Sequence, residues 1–386
     1  MFYKKPLLYV IFLLFIILLF TNLLVNTEQH FVLLAKSFLS GSLSFTQEFS
    51  NVSDLVIFDG KYYWALGPLP AILLMPFVFI FKNFLQGYLV FPVTLLNFYL
   101  IFRIAKKLNL DEKKSYLASI FFIFGSIYAP LALLPASWYF AQVIACTFLI
   151  IALFEFLTSR RYLLIGISVA LATATRLNLI FSSLFFLYYI FKKPSFKKLA
   201  EFSIPIICAL FFIGTYNFLR FGNPLESGYS LQTIPKETSE RRNLGLFSIK
   251  HVPSNLYYML VNGPEPTLEE KTHELKPPFI TFDSYGLSIF FLSPLLFLIY
   301  KANFKKEIVR ISTLTTAIII LPLITYYGIG QKQVGYRYAL DFFPFVLLIL
   351  LNAFERIETK FMYPLIFFGV FFCFFFSFLY LFGLEH

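Results

Sequence analysis

Apolar residues run through the chain in long unbroken blocks, unlike the short periodic patterns of a soluble protein. Runs near 20 residues recur between residues 6 and 382, and about 20 residues of helix cross a bilayer core of roughly 30 Å. The pattern predicts an all-α polytopic membrane protein, one integral-membrane domain over 1–386 with about 11 transmembrane helices. The predicted spans are 6–26, 86–103, 116–134, 138–157, 162–175, 177–191, 200–217, 286–300, 308–327, 338–354 and 361–382.

Lys and Arg gather at one end of these predicted spans. Nineteen of the 32 basic residues fall in six short clusters at this end, where only seven of the 21 acidic residues lie. Basic residues are enriched in cytoplasmic loops, so this end is predicted to face the cytoplasm and the carboxylates to collect outside. The clusters lie at 4–5, 103–114, 160–161, 192–198, 301–310 and 356–360.

Composition narrows the class of protein. The chain is 59% hydrophobic and 14% charged, whereas soluble domains average about 45–50% and about 25%. These values exclude cytosolic enzymes, nucleic-acid-binding modules and disulfide scaffolds, and the net charge of +11 is explained by cytoplasmic anchoring. Cys146, Cys208 and Cys373 lie singly in apolar runs, so they form neither a disulfide framework nor a metal motif.

Two predicted outer loops, 27–70 and 218–285, are far longer than the usual helix connection of about 2–8 residues. Chemistry is expected in such loops or where they meet the membrane. In the first loop, residues 31–38 place apolar side chains on one helical face, which predicts an interfacial helix that Gly41 ends. Residues 70–81 are apolar but reach only about 20 Å as a helix, so a re-entrant or interfacial helix is predicted there.

The second loop begins with a compact turn at the end of a predicted span. Gly and Pro in 221–229 predict that turn, which holds Arg220, Glu226 and Tyr229 near the outer surface. Residues 247–261 predict a further interfacial helix. The Pro- and Glu-rich stretch 262–278 predicts irregular chain.

Charged residues at the membrane boundary are the candidate functional groups. Acids, a lysine and aromatics lie together between Asp54 and Trp64, although an aromatic belt with ordinary solvated charges has the same composition. Near the last spans, Arg337 lies at a span mouth and Asp341 one turn inside apolar sequence. An ionisable residue at such depth indicates a functional site. The alternative is a self-neutralising Arg337–Asp341 pair at i and i+4.

The ordered set of motifs resembles the GT-C membrane glycosyltransferases, which include protein O-mannosyltransferases and lipid A aminoarabinose transferases. The similar stretches are the retained first span, the long first outer loop, "DGKYYWALGPLPAILLMPF", "TATRLN", "FGNPLESGY" and "GYRYALDFFPF". Within that superfamily the chain looks most like bacterial members with "GKYY" followed by P-x-P in this loop. One difference concerns the acids, because this chain carries Thr27-Glu28 where many relatives carry Asp-Glu.

The resemblance implies a bacterial plasma-membrane enzyme that moves a sugar from a polyprenyl-phosphate donor to an acceptor on the outer face. Direct displacement with a carboxylate base would invert the anomeric centre. Cations at the membrane mouth would hold the donor phosphate. The candidate bases, in order, are Asp54, Glu28 and Asp59. The candidate phosphate ligands are Arg337, Arg176, Arg220 and Lys61. The candidate substrate-binding residues are His30, Tyr63, Glu226, Tyr229 and Tyr336.

Several alternatives stay open at the level of sequence. A lipid-linked sugar flippase or another polytopic transporter would share the spans and the basic inner loops. The acceptor is open between a protein, a lipid and a surface polysaccharide, and membrane lipids are the other expected partners. No cofactor is predicted. A divalent metal is not favoured, because no Asp-x-Asp pair occurs and Asp54 and Asp59 are five residues apart.

Overall fold

Six helices are long and apolar enough to cross a bilayer. The computed structural model describes residues 4–384, with side chains from residue 6 onward, so residues 1–3 and 385–386 of the predicted domain lie outside the described part. Within it, the six long helices fit an integral membrane protein. They are α1 (Lys4–Leu24), α4 (Gly87–Lys107), α7 (Ser137–Leu157), α10 (Phe196–Phe221), α14 (Glu307–Thr325) and α16 (Thr359–Leu381).

Shorter helices complete the bundle and its outer loops. The shorter α-helices are α2 (His30–Leu39), α3 (Leu69–Ile80), α5 (Glu112–Phe124), α6 (Tyr128–Leu133), α8 (Tyr162–Thr175), α9 (Ser183–Lys192), α11 (Lys236–Arg242), α12 (Val252–Leu260), α13 (Ile289–Leu292) and α15 (Phe343–Phe354). Four 3₁₀ segments cover Leu177–Ser182, Ile249–His251, Pro294–Lys301 and Arg337–Asp341.

Each predicted span coincides with helical structure, but five of them are short or interrupted. Residues 116–134 break at Gly125 into α5 and α6, and residues 338–354 begin as a 3₁₀ turn before α15. The ranges 162–175, 177–191 and 286–300 hold α8, α9 and α13 with their adjoining 3₁₀ segments. The mostly helical architecture is therefore confirmed, with six helices in residues 4–384 that are long and apolar enough to span a membrane, and the count of about 11 stays a prediction.

Two helices form the buried centre of the bundle. About four fifths of α7 is buried, and all residues of α15 are buried. Asn97 of α4 donates to the hydroxyl of Thr147 on α7 (2.8 Å) and to that of Tyr128 at the start of α6 (2.9 Å). Apolar packing alone tolerates several alignments of neighbouring helices, and such polar contacts select one of them.

The packing of α8 against α10 depends on a glycine. A Cβ added at Gly166 would lie 2.4 Å from the carbonyl oxygen of Phe202, so only glycine permits this approach of the two backbones. The contact holds α10 beside the short helices α8 and α9. It also fixes the end of α8, where Arg176 follows.

The outer loops contain two β-hairpins, so the all-α expectation needs amending there. In the first loop, β1 (Leu55–Phe58) pairs with antiparallel β2 (Lys61–Trp64). Asp59 and Gly60 close this hairpin with φ of +48° and +67°, the left-handed geometry of a type I′ turn that Asp-Gly favours.

The second hairpin lies where irregular chain was predicted, so the prediction for 262–278 is wrong. There β3 (Glu265–Leu268) pairs with β4 (Leu275–Thr281). Proline excludes helix from this stretch but is tolerated in edge strands, and both strands of a two-stranded hairpin are edges. The predicted helices at 31–38 and 247–261 are present as α2 and α12, and α3 occupies the short apolar stretch at 70–81 and packs against α2.

Candidate functional site

The two long loops, 27–70 and 218–285, which are predicted to lie outside, meet at Asp54. The backbone N–H of Asp54 donates to the carbonyl of Thr233 (2.7 Å), and that of Thr233 donates back to Leu55 (2.8 Å). The side-chain amide of Gln232 donates to the carbonyl of Asp54 (2.9 Å), and Val56 forms an antiparallel bridge with Gln232. A short stretch of the second loop therefore extends the first hairpin as a third strand and fixes the position of Asp54.

The backbone of Asp54 adopts a conformation that is uncommon for a residue with a side chain. Its φ is +66°, a left-handed value that Asp tolerates better than most residues but that still costs energy. The hydrogen bonds to Thr233 and Gln232 hold it there. This geometry directs the chain from the turn into β1 and leaves the Asp54 side chain half-buried.

Three other charged side chains lie within electrostatic range of Asp54. Burial raises the pKa of the Asp54 carboxyl above its ordinary value; the charge of Arg337 lowers this pKa, that of Glu28 raises it and that of Lys332 lowers it. Two cations and a second carboxylate therefore act on the charge of Asp54. Asp54 and Glu28 come from the first loop, and the two cations come from the segment before α15.

Arg337 is a buried arginine without a carboxylate partner among the described side chains. It begins a 3₁₀ turn, and its carbonyl accepts a hydrogen bond from the amide of Gln142 on α7 (3.0 Å). Its guanidinium carbon lies 5.7 Å from the ring centre of Tyr139 and 5.2 Å from that of Tyr338. Its two side-chain hydrogen bonds, to Gln331 O and the Tyr338 hydroxyl, are both 3.5 Å long. Most of its donor capacity is thus uncommitted.

Asp341 pairs with Arg176, so the alternative of a self-neutralising Arg337–Asp341 pair is wrong. Arg176 Nε and Nη2 donate to the two carboxylate oxygens of Asp341 at 2.7 and 2.8 Å, and Asn178 Nδ2 donates to Oδ2 at 2.8 Å. The 3₁₀ turn moves Asp341 away from the i and i+4 geometry of a helix. Arg176, predicted to bind the donor phosphate, is instead neutralised in a fork of hydrogen bonds.

Tyrosines line the space between these charges. The Tyr338 ring has Arg337 on one side and Arg176, at 5.7 Å, as a second cationic neighbour. The ring of Tyr326 contacts those of Tyr229 (6.1 Å) and Tyr338 (6.3 Å). Burial raises the pKa of Tyr229 to about 12, and the nearby charge of Arg176 counteracts part of that rise. The predicted residue Tyr229 therefore belongs to this site.

Glu28 and His30 flank the site at the start of α7 but differ in environment. The carbonyl of Glu28 accepts from the Gln86 amide and the Ser137 hydroxyl, both at 2.7 Å, while its side chain is exposed. The ring of His30 stacks on that of Trp64 at 4.2 Å and contacts the Ser137 hydroxyl. Burial lowers the pKa of His30 to about 4, so its ring is neutral and acts in packing.

Arg220 and Glu226 are engaged in holding the second loop. Arg220 donates to the carbonyl of Trp64 (2.7 Å) and to Asn217 Oδ1 (2.8 Å), and its guanidinium carbon lies 3.9 Å from the centre of the Tyr216 ring. Glu226 accepts from the N–H of Gly228 at 2.6 Å and from the Ser230 hydroxyl. Both side chains therefore have structural roles. Arg220 links α10 to the first hairpin, and Glu226 stabilises its own turn.

Three further predicted residues lie away from the charged site, and a fourth, Tyr336, packs against its edge. Asp59 and Lys61 are exposed at the turn of the first hairpin. Asp59 lies at the other end of β1 from Asp54, five residues or roughly 16 Å away along the strand. Tyr63 is buried against Phe221, with ring centres 5.3 Å apart. Tyr336 is fully buried with its ring centre 5.7 Å from that of Tyr338, and within the described residues its hydroxyl has no hydrogen-bond partner.

The site also contains residues that the sequence reasoning missed. Lys332, Tyr139, Tyr326 and Tyr338 all contribute, and Tyr139 ties two of the segments by donating to the carbonyl of Lys332 (2.5 Å). The aromatic and basic run "TYYGIGQKQVGYRY" before α15 was the available signal. Among residues 4–384, no three His, Cys, Asp or Glu side chains gather at one place.

The arrangement offers a half-buried carboxylate, an uncommitted guanidinium and aromatic walls in one place. A carboxylate with a raised pKa can accept a proton near neutral pH, and a guanidinium can bind a phosphate through two parallel hydrogen bonds. Comparison of the chain with protein-family models, curated proteins and solved structures gave no match.

Proposed function

We propose that the chain is a membrane glycosyltransferase that takes a sugar from a polyprenyl-phosphate donor and passes it to an acceptor on the outer face. The observation that carries the proposal is the convergence of Asp54 and the uncommitted Arg337 where the two outer loops meet. Phosphate binding requires a cation that is not already paired, and Arg337 meets this requirement while Arg176 does not.

In the proposed reaction, the acceptor hydroxyl attacks the anomeric carbon and its proton passes to Asp54. The bond between the anomeric carbon and the phosphate oxygen breaks, and the phosphate leaves with the electron pair. Arg337, with Lys332 nearby, binds the charge that develops on the phosphate. Glu28 raises the pKa of Asp54 and so makes it a stronger base. The rings of Tyr229, Tyr326 and Tyr338 supply surfaces on which a sugar can pack.

The proposed topology has about 11 crossings, with the amino terminus inside and both long loops outside. Besides the six long helices it counts five crossings: α8, α9, α15, α5 with α6, and α13 with the 3₁₀ segment that follows it. It counts α3 as re-entrant. A single cysteine at Asn51 or Glu269 should react with an impermeant thiol reagent added from outside, whereas one at Asn109 should be protected. External labelling at Asn109 would overturn this topology.

The function itself is tested in proteoliposomes. Purified protein is mixed with polyprenyl-phosphate sugars and a cell-envelope extract as the source of acceptor, and release of free polyprenyl phosphate is measured. The proposal expects donor consumption that stops in the Asp54→Asn protein. A transporter would move the lipid-linked sugar between leaflets without consuming it. That outcome would contradict the proposed enzyme activity and identify the protein as a flippase.

A further inference from the structure

A second candidate site lies at the opposite end of α7 from Asp54. A cavity of about 430 Å³ opens between the last turns of α4 and α7, a size typical of small-ligand pockets of roughly 300–1,000 Å³. The length of α7, about 30 Å, separates it from the Ser137 end beside Glu28. The cavity is lined by Arg103, Lys106, Lys107, Phe154, Thr158 and Ser159.

The positive charge in this cavity is not neutralised by the described carboxylates. Arg103 packs on Tyr99 and donates to its hydroxyl, and Lys106 donates to the carbonyl of Leu110 (3.2 Å). The nearby acid on α7 is Glu155, and Arg161 takes both of its carboxylate oxygens at 2.9 and 2.7 Å. Three basic side chains therefore line one cavity, and none of them forms an ion pair with a carboxylate of the described residues.

Helix electrostatics explain part of this arrangement. The carboxyl end of a helix carries a partial negative charge, so cations in the last turn of α4 are favourable without any ligand. The helix dipole does not explain why these cations line one cavity together with the hydroxyls of Thr158 and Ser159, which follow α7. Thr158 already donates to the carbonyl of Phe154 (2.7 Å), whereas the Ser159 side chain is exposed at the rim.

An exposed apolar stripe leads along α4 to the cavity. Leu95, Leu96 and Tyr99 are 41%, 42% and 51% exposed, and they lie on the helical face that continues to Arg103, four residues after Tyr99. In a membrane this face contacts acyl chains, and Tyr99 and Arg103 lie at the level of the headgroups. A lipid aligned with the stripe would bring its phosphate to the basic residues.

We infer that the cavity between α4 and α7 binds the phosphate headgroup of an anionic phospholipid, with the acyl chains along Leu95, Leu96 and Tyr99. Basic pockets between helices on the cytoplasmic side are suited to such headgroups. The inference depends on the membrane architecture alone and is independent of the proposed transferase activity.

The test uses the full-length protein in a non-ionic detergent. Short-chain phosphatidylglycerol is titrated while thermal unfolding is followed, because a ligand that binds the folded state raises Tm, and a tighter ligand raises it more at the same concentration. Short-chain phosphatidylcholine and inorganic phosphate are titrated in parallel. We expect phosphatidylglycerol to raise Tm and the other two to have little effect.

The matched variants remove equal charge inside and outside the cavity. Arg103→Gln/Lys106→Gln/Lys107→Gln should bind phosphatidylglycerol at least about tenfold more weakly. Lys193→Gln/Lys301→Gln/Lys305→Gln removes three exposed lysines from the same predicted face and should respond like the wild type. If the cavity variant does not fold, the single change Lys107→Gln is compared with Lys305→Gln.

Two results would overturn the inference. If both triple variants lose affinity for phosphatidylglycerol equally, the lipid binds through the general positive charge of this face and not through the cavity. A rise in Tm with inorganic phosphate as large as that with phosphatidylglycerol would assign the cavity to a soluble anion and remove the lipid.

Discussion

The two arginines beside the Tyr338 ring differ in what holds them. Arg176, between α8 and the following 3₁₀ turn, is bound in a fork by Asp341, which Asn178 also contacts. Arg337, which the chain places directly before Tyr338, has two long hydrogen bonds and packs on aromatic rings. Both are buried, but only one has its charge balanced by a carboxylate among the described side chains.

The difference separates a cation with a structural partner, Arg176, from Arg337, for which we propose a binding role. A buried charge is costly unless it is paired, so the protein neutralises Arg176 with Asp341 and thereby ties the end of α8 to the turn before α15. Arg337 has no such partner, so its buried charge does not tie two segments of the structure together. The cost is understandable if an anionic substrate completes the pairing, as the proposed donor phosphate would.

The largest expected effect breaks the structural pair. Asp341→Asn leaves the buried Arg176 without its counter-ion and should reduce the free energy of unfolding by about 3–5 kcal/mol. Thermal unfolding in detergent measures this change. The double change Arg176→Met/Asp341→Leu removes both charges and should recover most of the loss. A loss below about 1 kcal/mol in Asp341→Asn would show that the pair is not a structural element.

The next effect concerns the unpaired arginine. Arg337→Lys keeps the charge but loses the fork geometry, so kcat/KM should fall about 10- to 150-fold, equivalent to about 1.5–3 kcal/mol. Its Tm should change little, because Arg337 has no carboxylate partner to lose. The control Arg176→Lys should instead lower Tm. Normal transfer by Arg337→Lys would remove Arg337 from the donor site.

A smaller effect tests how Glu28 acts on Asp54. The base must be ionised, so kcat/KM should fall as the pH decreases through the pKa of Asp54, which burial and the charge of Glu28 both raise. Glu28→Gln removes the negative charge and should move this acidic limb to lower pH, with transfer retained at neutral pH. Loss of transfer at all pH values would make Glu28 the base.

The smallest expected effect lies at the tip of the first hairpin. Asp59→Asn keeps a residue that favours the type I′ turn, and its side chain is exposed. Stability should change by less than about 0.5 kcal/mol and transfer by less than about twofold. Transfer assays and thermal unfolding check both values, and a large loss of transfer would bring Asp59 into the catalytic site.

The sequence predicted the helical elements well because apolar runs report the solvent around a helix directly. It also indicated the two outer loops as the place for chemistry, and Asp54 as the leading acid within them. The contacts of Asp54 with Gln232 and Thr233 could not be predicted, because these residues lie about 180 positions after Asp54 in the chain. Pairing between distant loops leaves no local pattern.

The partners of the arginines were the least predictable feature. The i and i+4 spacing of Arg337 and Asp341 suggested a pair, but these residues lie in a 3₁₀ turn, where side chains four apart do not share a face. Asp341 instead pairs with Arg176, which lies 165 residues earlier in the chain. Arg220 fitted a phosphate ligand by its depth, yet its hydrogen bonds go to Trp64 and Asn217. The charge of a residue and its predicted depth in the membrane do not show whether its side chain is already hydrogen-bonded to other parts of the protein.

The central claim is that Asp54 is the base of a transfer reaction at this site. Single-turnover transfer by Asp54→Asn, with the donor bound beforehand, tests it most directly. We expect transfer to slow by about 10²–10⁴-fold while donor affinity is largely kept, because the amide keeps the shape but cannot accept the proton. Near-normal single-turnover transfer by Asp54→Asn would contradict the claim.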